Sequence, residues 1–225
     1  MQEVPSFQDV VRERQSCRQF LSEPLDANQI NAVLQDAQRA PSNCNTQPWQ
    51  VHIVSGETRA SLSRMLIEQA TRGQFSPDFS WDEAAFPEPL DARRRAQGKA
   101  YYEALGIARD DKAGRFEAIA RNLEFFGAPH AAFLFMPTVG DSVRVASDMG
   151  MYAQTFLLSL TAHGFAGIPQ TILGLFASSI RAHLGVSDDM KLLFGISFGY
   201  GDPTAMVVAP SMPREPISIS CVLHE

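Results

Sequence analysis

Apolar residues recur at helical spacing in some stretches of the chain and run unbroken in others. Ile30, Val33, Leu34 and Ala37 fall on one stripe of a helix that opens at Asp26, with Gln29 three residues later completing a capping box. Ser6 and Asp9 mark a similar opening, and Phe7, Val10 and Val11 give the short helix behind them an apolar face ending near Arg14. A strand over 49–55 precedes a helix carrying Leu62, Met65 and Leu66. Asp110 or Asp111 opens a further helix through Phe126, stopped by Gly127 and Pro129, and 131–136 is a short, wholly apolar strand. The most hydrophobic helix lies within 141–163. Met149, Tyr152, Ala153, Phe156, Leu157 and Leu160 cover more than one of its faces, which predicts burial on several sides.

Past Gly164 the chain turns at Gly167-Ile168-Pro169-Gln170-Thr171, forms a helix over 176–184 and enters a central strand over 192–199. The tail, 206–225, reads as extended and ends in an edge strand, because Ile217, Ile219, Cys221 and Leu223 alternate after prolines 210, 213 and 216. One region breaks the rhythm. Between about 73 and 109, Pro77, Pro87 and Pro89 interrupt regular structure, while Phe75, Phe79, Trp81 and Phe86 supply apolar anchors. Asp91 is placed to cap a helix through Arg93-Arg94-Arg95 to Leu105, stopped by Gly106, with the arginines as a solvated face. A long excursion with that aromatic content reads as a lid on a single domain spanning 1–225, in preference to surface decoration.

Composition narrows the partners. A net charge of −6 and a pI near 5.4 argue against nucleic acid, whose phosphates need a basic surface. No apolar leader follows Met1, and the apolar window around Phe156 to Leu160 is broken by Ser159, Thr161 and His163, so the expectation is a cytoplasmic protein without membrane contact. Three widely spaced cysteines, 17, 44 and 221, read as reduced thiols.

Several patterns mimic familiar chemistry. Gly195-Ile-Ser-Phe-Gly199 has nucleophile-elbow spacing, but Ser197 sits within an apolar run and no helix follows, so it reads as a strand serine. The five histidines have no metal-ligand spacing, and Asp110-Asp111 and Asp188-Asp189 read as caps or turns. Cys44 lacks a histidine at catalytic spacing. Arg14, Ser16 and Arg18 leave a helix together and suit a phosphate, although such clusters are also common on solvated surfaces.

The segment 40–49, Ala-Pro-Ser-Asn-Cys-Asn-Thr-Gln-Pro-Trp, is polar yet bracketed by prolines, either an ordinary connection or a loop built to hold a ligand. Pro41, Ser42, Asn45, Gln47, Pro48 and Trp49 match the Pro-Ser-x-x-Asn-x-Gln-Pro-Trp signature, and the chain resembles the FMN-dependent nitroreductase family. Arg14-Gln15-Ser16-Cys17-Arg18-Gln19-Phe20 is similar to that family's Arg-Arg-Ser-x-Arg-x-Phe, with Gln15 as the departure. Gly167-Ile168-Pro169-Gln170 and Pro213-Arg214 extend the resemblance in the expected order.

The resemblance implies an α+β fold, with a central, mainly antiparallel sheet wrapped by helices. It further implies a homodimer with FMN at the interface, the apolar 141–163 helix near the two-fold axis, and the 206–225 tail crossing to the partner. Arg14, Ser16, Arg18 and Arg214 are expected at the FMN phosphate and the adjoining part of the cofactor. Pro41, Ser42, Asn43, Asn45 and Gln47 are expected to approach from the other subunit. Pro169 and Gln170 are expected beside the ring, with a backbone N–H near Gln170 or Thr171 donating to flavin N5. NADH or NADPH would reduce the flavin, and a nitroaromatic, quinone or similar small aromatic acceptor would reoxidise it in ping-pong order. Flavin chemistry accounts for the missing nucleophile, metal cluster and carboxylate dyad, since the cofactor carries the reaction. A reductive dehalogenase on the same scaffold, or a flavin-binding protein without turnover, are the alternatives.

Overall fold

A computed structural model describes residues 5–204 and 212–224 of the chain. The helices are α1 (Phe7–Glu13), α2 (Ala27–Ala37), α3 (Gly56–Thr71), α4 (Leu90–Ala104), α5 (Lys112–Leu123), α6 (Val143–Ala162), α7 (Ala177–Leu184) and the single turn α8 (Ile217–Ser220). The strands β1 (Gln50–Ser55), β2 (His130–Pro137), β3 (Ala166–Gln170) and β4 (Met190–Gly199) pair antiparallel in the order β1-β2-β4-β3.

The wholly apolar run of β2 follows from helices covering both faces of the sheet. Ala131, Phe133 and Phe135 point into a core shared with Leu62 and Leu66 of α3, Leu123 of α5 and Ile180 of α7. Ala132, Leu134 and Met136 point the other way, onto Val33 and Ala37 of α2 and Met149, Tyr152 and Phe156 of α6. Successive side chains alternate between faces, so a strand covered on both has no place for a polar residue. α6 buries one broad face, from Val145 to Leu160, and leaves Val143, Ser147, Met151 and Gln154 exposed on the other, so it is covered on fewer sides than its apolarity predicts.

Several boundaries differ from the sequence reading. Gly167 to Gln170 are not a turn but the edge strand β3. The tail ends in the helical turn α8, not an edge strand, and Ile217, Ile219, Val222 and Leu223 are all exposed. Residues 206–211 and 225 of the expected crossing tail lie outside the described residues. In α1 only Val10 is buried, while Phe7 and Val11 face outward. The cap of α4 is Pro89, with Asp91 in its first turn, and α5 ends at Leu123 before a 3₁₀ turn over Phe125–Gly127. The capping boxes at Ser6 and Asp26 form as expected, and Asp111 caps α5.

The 73–109 excursion is rooted by a buried ion pair. Asp78 meets Arg181 of α7 at 2.7 Å, and the same carboxylate oxygen accepts the Leu192 N–H at 2.8 Å. Both side chains are only 7% exposed, and each has a second charged neighbour: Asp188 lies 3.2 Å from Arg181 and Lys191 3.8 Å from Asp78. Phe75 packs on Phe176, and Ser76 N–H donates to the Leu175 carbonyl at 2.8 Å.

The Gly-x-Ser-x-Gly stretch is internal to β4. A Cβ on Gly195 would lie 2.6 Å from Leu173 Cδ1, and one on Gly199 would lie 2.7 Å from the Pro129 ring, so the glycines answer to packing. Ser197 is fully buried and its hydroxyl donates to Oε1 of Gln170. Replacing Ser197 with Ala leaves that oxygen short of a donor in the core. It should cost about 1–3 kcal/mol in a urea titration. A change within about 0.5 kcal/mol, the scale of a surface substitution, would contradict this.

His130 is also buried. Its Nε2 accepts the Leu25 N–H at 2.9 Å, which places the ring proton on Nδ1, facing the Ser55 hydroxyl. Burial, and then the Arg59 guanidinium, hold its pKa below the usual histidine value, and burial does the same to His52. Both groups therefore bind protons more weakly folded than unfolded. Their contribution to stability is complete above the unfolded histidine pKa and is lost as pH falls through the lower folded values. The urea midpoint should drop between pH 7.5 and pH 5; a flat profile would show that neither ring is held neutral.

Candidate active site

The first arginine-bearing segment is laid along the edge of the sheet. Leaving α1, the chain runs beside β3: Ser16 bridges Gly167, Cys17 N–H donates to the Gly167 carbonyl at 3.3 Å, and Phe20 bridges Gly201. Gly167 permits this because α6 presses close behind it; a Cβ there would lie 2.7 Å from Leu160 Cδ1. Arg18 is held by neighbours on both sides. Its guanidinium lies 5.0 Å from the centroid of the Tyr101 ring, and its carbonyl accepts from Arg121 at 2.8 Å.

Arg14 and Arg214 converge from the two ends of the chain. Burial, and then the nearby Arg214 charge, lower the pKa of Arg14, and burial lowers that of Arg18. Neither Arg14 nor Arg214 forms a salt bridge among the described residues; Arg214 donates only to the Met212 carbonyl, at 3.1 Å. Two cations brought together without a carboxylate repel one another, and an anion between them relieves that cost.

Beside this strip is a cavity of about 330 Å³ lined by Arg18, Tyr101, Asn122, Pro169, Gln170 and Thr171. The Gln170 side chain is tied inward, donating to the Asn122 carbonyl at 2.8 Å and accepting from Ser197. What Gln170 has left for a ligand is its main chain. Thr171, at the start of the 3₁₀ turn over Thr171–Phe176, and Pro169 are both exposed.

The proline-bracketed loop forms a second, separate surface. It contains a 3₁₀ turn, Asn43–Asn45, and three residues with positive φ: Cys44 at 49°, Asn45 at 57° and Gln47 at 46°. Left-handed backbone at residues other than glycine is costly and persists only where surrounding contacts impose it. Here the Ser42 hydroxyl accepts the Gln47 N–H at 2.9 Å, and Asn43 N–H donates to the buried Asp148 of α6 at 3.1 Å. Gln38 donates to Gln47 Oε1 at 3.1 Å and accepts from Trp49 Nε1 at 3.0 Å, and Trp49 packs on Tyr152 with centroids 4.9 Å apart. The loop is thus stiff, and Pro41, Asn43, Asn45 and Gln47 project from it into solvent.

Two groups of expected site residues therefore form, and one chain does not unite them. Arg14, Ser16, Arg18, Pro169, Gln170, Thr171 and Arg214 belong to the β3 side. Pro41, Ser42, Asn43, Asn45 and Gln47 precede β1, the opposite edge strand. Four inter-strand spacings of roughly 4.8 Å separate the β1 edge from the Ser16 segment. The registers also put Ser16 level with Ser55, at the far end of β1 from Gln50.

Sequence reasoning missed the residues that α4 and α5 bring to the cavity, among them Tyr101 and Asn122. Their only signal was the aromatic pair Tyr101-Tyr102 on the excursion's helix. The arginine run is the solvated face it was read as, and it carries surface ion pairs that the sequence did not disclose: Arg93 pairs with Glu215 at 3.1 Å, Arg94 with Glu83 and Asp91, and Arg95 with Glu88 and Asp91. Among the described residues no group of three or more His, Cys, Asp or Glu is placed to hold a metal, and no helix is long and apolar enough to cross a membrane.

Known proteins share this arrangement. The chain is 42% identical over 209 residues to nitroreductase NfnB of Mycolicibacterium smegmatis, covering 93% of this chain and 88% of that one. It is 34% identical over 216 residues to a 4-nitrobenzoate reductase of Pseudomonas putida, covering 93% and 91%. The crystal structure of the FMN-dependent nitroreductase NfnB from Mycobacterium smegmatis, in complex with NADPH, superposes with a TM-score of 0.93 at 40% identity, covering 97% of each chain. The model of the nitroreductase family matches residues 11–200, and with these relatives spanning nearly the whole of its length the chain belongs to that family.

Proposed function

We propose that the protein is an FMN-dependent NAD(P)H oxidoreductase that reduces nitroaromatics, quinones or similar small aromatic acceptors in ping-pong order. The observation that carries this reading is a cavity walled by Arg18, Pro169 and Thr171 beside the strip that bears Arg14 and Ser16, with Arg214 near enough for its charge to act on Arg14. That is a fit for FMN: a dianionic phosphate beside paired guanidiniums, and a planar ring beside main-chain groups at the end of β3. Bound FMN supplies the redox chemistry, accepting hydride from NAD(P)H and passing electrons to the acceptor. The protein's own groups bind and orient. Arg14, Ser16, Arg18 and Arg214 hold the phosphate and the adjoining part of the cofactor, and a backbone N–H near Gln170 or Thr171 donates toward the ring. Among the residues lining the cavity no carboxylate or histidine stands as a proton donor, so solvent fills that role. The NADPH complex of the mycobacterial relative supports NADPH as a donor.

The site is completed by a second copy of the chain. The stiff 41–47 loop lies across the sheet from the arginine strip, so it reaches a flavin bound there only from a partner subunit. Exposed Phe7 and Val11 of α1, Val143 and Met151 of α6 and the apolar residues of α8 give such a partner a surface to cover. We read 1–225 as one domain in which 73–109 is a lid over the cavity, and the three free thiols support a cytoplasmic setting.

Purified protein should show absorbance bands at about 370 and 450 nm and oxidise NADPH when given 4-nitrobenzoate or a quinone. Protein that takes up no FMN would overturn the reading. Arg214→Ala should weaken FMN binding about ten- to a hundred-fold, corresponding to ~1.5–3 kcal/mol, while leaving the urea midpoint of the apo-protein nearly unchanged. An unaltered FMN titration would remove Arg214 from the site. Light scattering should report a dimer for the full chain, and deletion of 206–225 should lower both dimer content and the flavin-to-protein ratio. A truncated protein that stays dimeric and yellow would refute the crossing tail.

A further inference from the structure

The sheet narrows where β3 ends. β3 pairs with β4 only from Gly195 to Gly199, so among the described residues Leu192, Leu193 and Phe194 run on with no strand on that side. The 3₁₀ turn over Thr171–Phe176 takes up part of the space and lies tight on β4, since a Cβ on Gly174 would stand 3.0 Å from the Leu193 carbonyl oxygen. What remains is a second cavity, of about 370 Å³, lined also by Phe79, Ser80 and Trp81 of the 73–109 excursion. That wall is anchored at its root. Asp78, the residue before Phe79, accepts the Leu192 N–H and pairs with Arg181. Trp81 packs edge-on against Phe86, with centroids 5.7 Å apart, yet stays 51% exposed.

We propose that this second cavity is the subsite for the ring and substituents of an uncharged aromatic electron acceptor, which it selects over acceptors bearing a carboxylate. The inference rests on the flavin reading above and names the acceptor class for that site. Thr171 and Ile172 line both this cavity and the 330 Å³ cavity assigned to the cofactor, so a molecule seated here adjoins the flavin site. The volume is that of a small-molecule pocket, and apart from Ser80, Thr171 and Gly174 the lining is aliphatic and aromatic. Trp81 presents half-exposed ring surface to it, and an aromatic ligand is the partner that covers such a surface with the best geometry. No charged side chain lines the cavity. Moving a carboxylate from water into such surroundings without a partner is costly, and a neutral ring escapes that cost.

Methyl 4-nitrobenzoate and 4-nitrobenzoate share a ring and a nitro group and differ by one charge. With the FMN-loaded enzyme and NADPH, the KM for the ester should be about tenfold lower than that for the acid. Trp81→Ala should raise the ester's KM about tenfold, the scale of one aromatic contact, and the acid's by less than about twofold. Trp81→Phe should recover most of that loss. Ser80→Phe, which adds a ring to the cavity from an exposed position, should also raise the ester's KM while leaving the FMN titration of the apo-protein unchanged. Equal KM values for ester and acid in the wild type would overturn the proposal. So would an ester KM that neither Trp81→Ala nor Ser80→Phe moves. Weakened FMN binding in Trp81→Ala would assign the cavity to the cofactor, and loss of the dimer in light scattering would assign it to a second copy of the chain; either result overturns the acceptor subsite. Wild-type protein that binds no FMN would instead overturn the flavin reading itself.

Discussion

The width of a four-stranded sheet is the constraint from which the organisation of this site follows. β1 and β3 are its two edges, and the sequence feeds one group of ligand-seeking residues to each. The strip at residues 14–18 is laid on β3 by main-chain bonds to Gly167, and the 41–47 loop is the run-in to β1. Neither segment has slack to cross the sheet. α6 ties the two together: Asp148 near its start grips the loop, and Leu157 and Leu160 near its end press on Gly167. At 1.5 Å per residue, about 18 Å of rigid helix separates Asp148 from Leu160. The helix keeps the two groups of residues apart within one chain.

Rigidity on the loop side contrasts with the arrangement on the strip side. The loop is held by N–H donation from Gln47 to Ser42 and from Asn43 to Asp148 and by the bond that Gln38 donates to Gln47, so it arrives preformed at whatever it contacts. On the strip, the charge of Arg214 acts on the half-buried Arg14 with no salt-bridging carboxylate for either among the described residues. On the proposed reading, an anionic ligand bound there would offset that repulsion. Preorganised donors of this sort gain their effect because their orientation has already been fixed by folding.

The sequence disclosed what local chemistry controls. The capping boxes at Ser6 and Asp26, the fully apolar β2 and the buried face of α6 each follow from a pattern a few residues long. The serine of Gly195–Gly199 was legible as a strand residue for the same reason. What stayed hidden depends on partners distant in sequence. Gly167–Gln170 carries a proline and a glycine and so resembles a turn, yet β4 beside it and Ser16 on its other side make it a strand. The arginines at 93–95 are solvated as read, but their ion pairs were hidden because the carboxylates lie at 83, 88, 91 and 215, the last reached only through the folded tail. Tyr101 had no motif at all, and its link to Arg18 exists only once the 73–109 excursion has folded back over the sheet edge.

On the proposed reading, the tail joins assembly to cofactor binding. Within the described residues its ion pair to the rest of the chain is Glu215 with Arg93, and both side chains are more than 40% exposed. Pairs of that exposure contribute about 0–1 kcal/mol, too little to fix a segment. Four neighbouring apolar side chains, Ile217, Ile219, Val222 and Leu223, meanwhile stand 69–90% exposed. Covering each is worth ~1.5–3 kcal/mol, so a surface that receives them outweighs the ion pair several-fold. Arg214 sits only three residues before Ile217, and whatever anchors those side chains also sets how often its guanidinium faces Arg14. If the receiving surface belongs to a second subunit, phosphate binding and dimer formation share a free-energy term. Each then strengthens the other by the same factor, as linkage requires.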